Sequence, residues 1–529
     1  MAASIELGSM VMSKAVRNLF LVVFAVRILC AWKSEGFYQF DEHFQVIEFI
    51  GKIRGITPAE NLPWEYHQKI RPWFQPMSLL GAWRLIDPFE VLKTPHHQAF
   101  FFRLLSGFLG LLSSTLLLLA AVHANVIRIP ALATLLPRDL KEKVLLWGIG
   151  FSSLLWVFPF FQVRTSAESW SSSWFWLGVA TSLLCEERQS LFKKAGMHFL
   201  AGALFGLAFL SKYQAGLLIA GWGVATLLPS SSAPLTAWRD RLLKVTTAAA
   251  ACILCILAGT ALDRIGYGEW QLTAWNYLNT NLIEGVAFRF SPQPWWWYLQ
   301  QSLLWAAPLT SVLLILTLQS AFRTKDLRIT LPIFIYLAFH FWMSNKELRF
   351  LFPVLPGVII LVLNSEWTWR LIEEKKPVWR GFRRLLLAEN FILLTAVCWF
   401  PASSAMPTYR AIYTAAFENE TLFTVADRPF GLLDLEVKFY QPPGLRQIRL
   451  KEWSELILAS KNLDHFLVLN AGWTQPDTLL ALQGVQCDLV YQSHPSWLRT
   501  FNPGNWQARS RVRNLALCIA KKSDLNQSL

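Results

Sequence analysis

The chain is short of charge. Of its 529 residues only 16% are charged, while 54% are hydrophobic. A soluble domain carries about 25% charged residues. With a mean hydropathy of +0.35, the balance excludes a soluble enzyme and reads as a polytopic membrane protein. Cysteine is sparse, seven in all, which excludes a disulfide-built scaffold. Cys252 and Cys255 have the spacing of a metal pair but lie in an apolar run with no partner Cys or His, so a structural role is read. Cys487 and Cys518, in the polar tail, are able to pair in an oxidising compartment. There is no Gly-rich phosphate loop, no recognisable Ser-His-Asp arrangement and no Asp-x-Asp for a nucleotide-sugar metal. The nearest match, Asp434-Leu435-Glu436, is read as solvated surface. No metal site and no cofactor are therefore expected. Internal repeats and long low-complexity segments are absent too.

Aromatics are abundant, with 26 Trp and 38 Phe, as expected where side chains belt the lipid interface. Hydropathy predicts about eleven spans, roughly 18–33, 98–125, 143–162, 168–185, 196–211, 213–229, 244–262, 298–318, 329–343, 350–366 and 385–402. Alternate loops are basic: Arg128, Arg138 and Lys141; Arg188, Lys193 and Lys194; Arg239, Arg241 and Lys244; Arg323, Lys325 and Arg328; Lys375, Lys376, Arg380, Arg383 and Arg384. With Lys14 and Arg17 cytoplasmic, that alternation obeys the positive-inside rule. It also accounts for the net charge of +14 without a nucleic-acid partner. The first span has no small-residue cleavage site after it, and Trp32-Lys33 suits a retained anchor.

The opposite face receives a long loop at about 34–97, a second at about 263–297, a short one at about 344–349, and the tail. The long loop has amphipathic stretches, Phe44 to Ile53 and Trp73 to Ile86, able to lie in the interface plane. Trp295-Trp296-Trp297-Tyr298 reads as an interfacial anchor. The tail mixes short apolar runs (Phe466 to Leu469, Leu489 to Tyr491, Leu515 to Ile519) with helical stretches. The fold class expected is thus an α-helical polytopic membrane domain over 1–402 and a small outer α/β domain over 403–529. Asn419-Glu420-Thr421 and Asn526-Gln527-Ser528 are sequons, meaningful in a eukaryote.

Two charged motifs lie on that outer side. Phe40-Asp41-Glu42-His43-Phe44-Gln45-Val46-Ile47-Glu48 follows the first span, and Lys346-Glu347-Leu348-Arg349-Phe350 sits between two later ones. Charge at a membrane edge is costly to hold. An acid that takes a proton from a hydroxyl, and cations that hold a departing phosphate, suit glycosyl transfer from a lipid phosphate. If 41–48 is helical, Asp41, Gln45 and Glu48 share a face. Asp41 is the candidate base, with Glu42 its rival, and Glu42, Gln45 and Glu48 would orient it or the acceptor. Lys346, Arg349 and Arg71 are candidates for the phosphate, with Arg27 behind them; Glu347 and Arg164 complete the substrate-binding set. The competing readings are local pairing of the acids with Lys52 and Arg54, and snorkelling for the cations. Lys212 interrupts an apolar hairpin, as a turn residue or as something more.

The acidic motif, followed by Trp64-Glu65-Tyr66 and Ile70-Arg71-Pro72, resembles the first outer loop of glycosyltransferase family 22. Asp263-Arg264-Ile265 with Tyr267-Gly268-Glu269-Trp270 and Asn276-Tyr277 resembles its central loop, and Lys346-Glu347-Leu348-Arg349-Phe350 with Pro353 and Pro356 its His-Lys-Glu-x-Arg-Phe signature. The likeness runs over about 20–360, with Asn345 in place of the signature's His, Ser211-Lys212-Tyr213 where eukaryotic enzymes tend to have Arg-Pro-Thr, and Glu168 where Asn is usual. The resemblance implies a GT-C membrane fold and an inverting α-mannosyltransferase. Its donor would be a polyprenyl- or dolichyl-phosphate mannose, and its acceptor a glycolipid. It implies an integral membrane location, either the bacterial inner membrane with a periplasmic site or the endoplasmic reticulum with a lumenal one. A transporter or flippase is the other class. It would place ionisable groups at mid-membrane, where the chain after residue 98 has few, Glu389 and His340 among them. A non-catalytic subunit is disfavoured by the intact acidic motif.

The threading is testable. A cysteine introduced at Asn505 should react with an impermeant thiol reagent from the outer or lumenal side; labelling from the cytoplasmic side alone would overturn it.

Overall fold

The structure, a computed structural model, describes residues 13–127, 137–185, 190–228, 237–290, 292–322, 324, 326–417, 419–425, 427–432, 434–471, 485–493 and 513–520. Arg128, Arg188, Arg323, Lys325, Asn505 and the sequon at Asn526 lie outside these residues. The chain forms two compact units. One comprises Met1–Ile50, Trp64–Leu92 and Gln98–Phe400, and the other Gly51–Pro63, Lys93–His97 and Pro401–Leu529. The second unit takes in Pro401–Leu529 together with two pieces of the stretch 34–97.

The first unit is helical, with helices in every stretch read as a span. Among the described residues, four helices are long and apolar enough to cross a membrane: Lys14–Lys33, Pro95–His123, Phe192–Ser211 and Trp238–Tyr267. A fifth crossing exists if Leu348–Asn364 and Glu366–Glu373, bent by 66°, form one span. Ala215–Leu227, Pro308–Leu318 and Leu327–Trp342 are apolar but shorter. Proline explains one of the breaks. Where the sequence suggested one span over about 298–318, the structure has Trp297–Gln301, a π-turn at Ser302–Ala306, and a fresh start at Pro308. Glu389 caps that restart. Its carboxylate accepts from Leu309 N at 2.9 Å, Thr310 N at 2.8 Å and Thr310 Oγ1 at 2.7 Å. A carboxylate at a helix N-terminus is stabilised by the exposed N–H groups and the dipole, so Glu389 has a structural use.

The core gathers Phe158, Phe161, Phe175, Trp176, Ile329, Ile333 and the run Val358 to Leu363. Leu191–Ser211 packs along Ala237–Tyr267 through small residues. A Cβ on Gly202 would lie 2.0 Å from the Ala248 carbonyl oxygen, and one on Gly206 would lie 2.5 Å from Cys255 Cβ. Glycines four apart let two backbones approach where lipid gives helices no hydrophobic reason to associate. Cys252 and Cys255 serve this seam.

The second unit holds a five-stranded sheet. Arg446–Leu450, Thr421–Val425 and His465–Ala471 lie parallel in that order, followed by antiparallel Arg513–Ala520 and Val485–Gln492. All three apolar runs of the tail fall in strands, and Phe423, Phe466, Val468 and Ala516 form the core on one face. Cys487 and Cys518 are register partners on neighbouring strands and form a disulfide. Asn61 joins this unit by two bonds to Glu436, one from its Nδ2 to the carbonyl at 2.6 Å and one to its Oδ1 from the amide at 2.8 Å.

The helix seam makes a contrast to measure. Gly202→Val should force the backbones apart and sharply lower the yield and thermal stability of folded protein in detergent. Gly196→Ala, with nothing within 4 Å of the added carbon, should match the parent.

Candidate active site

The acidic motif folds as a widened helix. Phe40–Glu42 is α-helical, His43–Ile47 is a π-turn, and Glu48–Ile53 is α-helical again. The π-turn adds a residue to the local repeat, and that undoes the expected alignment of Asp41, Gln45 and Glu48. Glu48, fully buried, is reached instead by His43 five residues back, Nε2 to Oε1 at 2.7 Å. Gln45 turns to Glu65, donating from Nε2 at 2.9 Å. Asp41 alone of the three acids expected to catalyse or orient faces the main cavity.

Two distant segments bring cations to Asp41. Arg349 is the second residue of the 3-10 helix Leu348–Val354. That helix is pinned by the Pro353 carbonyl, which accepts from Trp176 Nε1 at 2.8 Å and Ser172 Oγ at 3.3 Å. Its guanidinium donates from Nη2 to Asp41 Oδ2 at 2.8 Å, and its Nε lies 2.8 Å from Glu347 Oε2. Arg71 sits on a loop fixed from the 263–277 region. Tyr267 donates to the Arg71 carbonyl at 2.8 Å, Asn276 to the Lys69 carbonyl at 3.2 Å, and Asp263 accepts from Trp73 N at 2.8 Å. Arg71 Nη2 is 3.3 Å from Glu65 Oε1 and 3.9 Å from Asp41 Oδ2. These partners come from far along the chain, not from Lys52 or Arg54.

The groups surround a cavity of about 280 Å³ lined by Asp41, Glu65, Arg71, Lys212, Glu347 and Arg349, with Trp64, Tyr277, Phe290 and Phe350 as aromatic walls. A side pocket of about 20 Å³, room for about one water, adds Gln45 and Glu168. Burial disfavours the ionised Asp41 carboxyl, but Arg349, Arg71 and Lys212 outweigh it and hold it at about 2. Glu42 is the reverse case. Burial pushes its carboxyl up to about 7 against the pull of Arg164 and Arg349. It lines neither cavity, and its Oε2 is buried without a partner among the described residues. Glu65 is also raised by burial, against Arg71.

Several expected ligands are placed elsewhere. Lys346 lines neither cavity. Its ammonium is bound by the carbonyls of His340 at 3.0 Å, Phe341 at 2.8 Å and Met343, at the end of the helix Leu327–Trp342. A cation there satisfies carbonyls the helix leaves over. Arg164 spends Nη2 on Ser34, at 2.6 Å to its carbonyl and 2.8 Å to its hydroxyl. Arg27 is fully buried beside Gly107, its three nitrogens have no partner among the described residues, and it lines neither cavity. Glu65, Glu168 and Lys212 were not read as site residues. Their signal was ionisable side chains next to apolar helices. Lys212 and Glu168 form an ion pair at 2.7 Å, so two departures from the family pattern meet in space.

The Alg9-like mannosyltransferase family matches residues 18–444. The chain belongs to that family. GPI mannosyltransferase 3 of Drosophila melanogaster is 20% identical over 374 residues, 68% of this chain and 58% of that protein. Mannosyltransferase APTG1 of Arabidopsis thaliana is 23% identical over 358 residues, 65% of this chain and 57% of that protein. GPI alpha-1,2-mannosyltransferase 3 of Bos taurus is 31% identical over 113 residues, 21% of this chain and 20% of that protein. The chain therefore matches under three fifths of each relative. Among solved structures, ArnT from Cupriavidus metallidurans bound to undecaprenyl phosphate aligns with a TM-score of 0.55 at 14% identity, covering 95% of this chain and 97% of that one. The family member thus has a GT-C-type fold.

The raised Glu42 carboxyl makes a signed prediction. Its folded value of about 7 lies above the ordinary 4.5, so the unfolded chain ionises first and stability falls as pH rises from 4.5 through 7. Glu42→Gln is neutral throughout. The variant should gain thermal stability over the parent between pH 5 and pH 8, by roughly 3 kcal/mol at most. An offset that does not change with pH would exclude a neutral buried Glu42.

Proposed function

We propose that this protein is an inverting α-mannosyltransferase. It moves a mannosyl unit from a polyprenyl- or dolichyl-phosphate carrier to a hydroxyl of a glycolipid, at the outer or lumenal face of its membrane. The observation that carries this reading is the cavity itself, where one carboxylate and three cations, Asp41 with Arg71, Lys212 and Arg349, converge beside aromatic walls. Family membership supplies mannosyl transfer, and the ArnT-like fold is consistent with a lipid-carried donor. The Cys487–Cys518 disulfide supports an oxidising compartment for the tail.

The chemistry needs one proton acceptor and one phosphate cradle. The acceptor oxygen attacks the anomeric carbon from the face opposite the phosphate. The carbon–oxygen bond to phosphate breaks, its electron pair leaves with the phosphate, and the hydroxyl proton passes to Asp41. Bidentate or charge-assisted contacts from Arg349 and Arg71 hold the leaving anion. With Arg349 resting on Asp41, the carboxylate at about 2 is a weak base. A donor phosphate competes for the same guanidinium groups. As they turn to it, Asp41 loses its counter-charges and gains basicity. Its pKa therefore rises when the donor binds.

Asp41→Asn should lower turnover by about 10²–10⁴-fold, measured as labelled mannose passed from the lipid-phosphate donor to glycolipid. Its binding of dolichyl phosphate should stay equal or tighten, because a competitor for Arg349 is gone. Near-normal turnover in Asp41→Asn, or robust transfer from GDP-mannose alone, would overturn the proposal.

A further inference from the structure

We infer that Glu168 and Lys212 act as a positioning pair for Arg349, with Lys212 keeping the buried carboxylate of Glu168 from drawing Arg349 off Asp41. The inference deepens the reading of the same site and rests on it for its effect on substrate, but not for its geometry. Glu168 lies in the first turn of Ala167–Leu184, and Lys212 at the break between Leu191–Ser211 and Ala215–Leu227. Glu168 is 1% and Lys212 6% exposed. Lys212 and Arg349 share one oxygen of Glu168: its Oε1 is 2.7 Å from Lys212 Nζ and 3.7 Å from Arg349 Nε. The same guanidinium is 2.8 Å from Asp41 Oδ2.

Arg349 therefore stands between rival carboxylates. A buried carboxylate left without a counter-charge is costly and takes the nearest cation. Glu168 is the more deeply buried rival, since the Asp41 side chain is 30% exposed to the cavity. On burial alone Glu168 should win Arg349. It does not, because Lys212 already occupies Oε1. The lysine fits this task. Its compact ammonium satisfies one oxygen without the planar fork by which an arginine would claim both. Glu347 anchors the other side of Arg349 with Nε at 2.8 Å. The pair thus decides which carboxylate Arg349 serves and whether it stays beside the cavity.

The test uses the full chain in lipid nanodiscs. In Lys212→Met, a cryo-EM structure should show Arg349 turned from Asp41 to Glu168, whether or not the protein is a transferase. Dolichyl phosphate binding, followed by tryptophan fluorescence, should weaken by about tenfold, the scale of one displaced charge-assisted contact. Adding Glu168→Gln removes the rival charge, so the double variant should recover binding to within about threefold of the parent. Glu168→Gln alone should bind nearly as the parent does, and it carries the test if Lys212→Met does not fold. An unmoved Arg349 in Lys212→Met overturns the inference. So does a double variant as weak as Lys212→Met, which would make Lys212 a direct phosphate ligand, and so does a tenfold loss in Glu168→Gln alone. A parent that binds no dolichyl phosphate would instead count against the donor reading, leaving the cryo-EM comparison to decide the positioning role.

Discussion

Arg349 touching Asp41 is the contact on which the site depends. A guanidinium is always charged and offers its donors in a fixed plane, so where it lies determines the charge that the neighbouring carboxylate feels. The rest of the first unit serves to fix it. Trp176 and Ser172 hold the Pro353 carbonyl two residues before the 3-10 helix gives way to Leu355–Asn364. Glu347 takes Nε from one side, and the Glu168–Lys212 pair occupies the other. Arg71 has its own scaffold in Tyr267, Asn276 and Asp263. Two basic segments, remote in sequence, are thus delivered to one acid by a pinned 3-10 helix and a loop held by hydrogen bonds, as a preorganised site requires.

Much of this was legible in the sequence, and what was not has physical causes. Asp41, Arg71 and Arg349 could be read because charge beside apolar helices is costly unless used. Helix positions could be read from hydropathy, and three strands of the second unit from short apolar runs. The number of crossings was less legible. Hydropathy counts apolar residues but not the π-turn before Pro308 that breaks a span into pieces. Glu48 was misplaced for a related reason: a period of 3.6 assumed over 41–48 fails when the π-turn intervenes, and Glu48 finds His43 instead of the cavity. Lys346 was read as a phosphate ligand from its motif, yet its three carbonyl partners belong to the helix end just before it. Nothing in a motif distinguishes a cation that caps from one that binds. Glu168 and Lys212 were noted singly, but their pairing bridges 44 residues and needs the packing of their helices to be seen.

Charge balance explains how such a site could work without a base that is always ready. The two cavities are lined by four carboxylates, Asp41, Glu65, Glu168 and Glu347, and three cations, Arg71, Lys212 and Arg349. Burial raises Glu65, the direction that brings the resting cluster toward neutrality. In that state Asp41 is well paired and holds no proton. In the proposed reaction an arriving phosphate diester brings another negative charge into a place of low dielectric, where excess charge is expensive. Two responses are available to the cluster: the arginines move to the newcomer, or a carboxylate takes up a proton. Both act on Asp41 in the same sense, since losing Arg349 and gaining an anionic neighbour each raise its affinity for a proton. In the proposed reaction the departing phosphate carries more negative charge than the donor, so the demand on Arg349 and Arg71 would grow as the bond breaks, at the moment Asp41 would accept the acceptor's proton. On the proposed function, the same cations would restrain the base while they lie against Asp41 and release it in proportion to the charge developing on the leaving group.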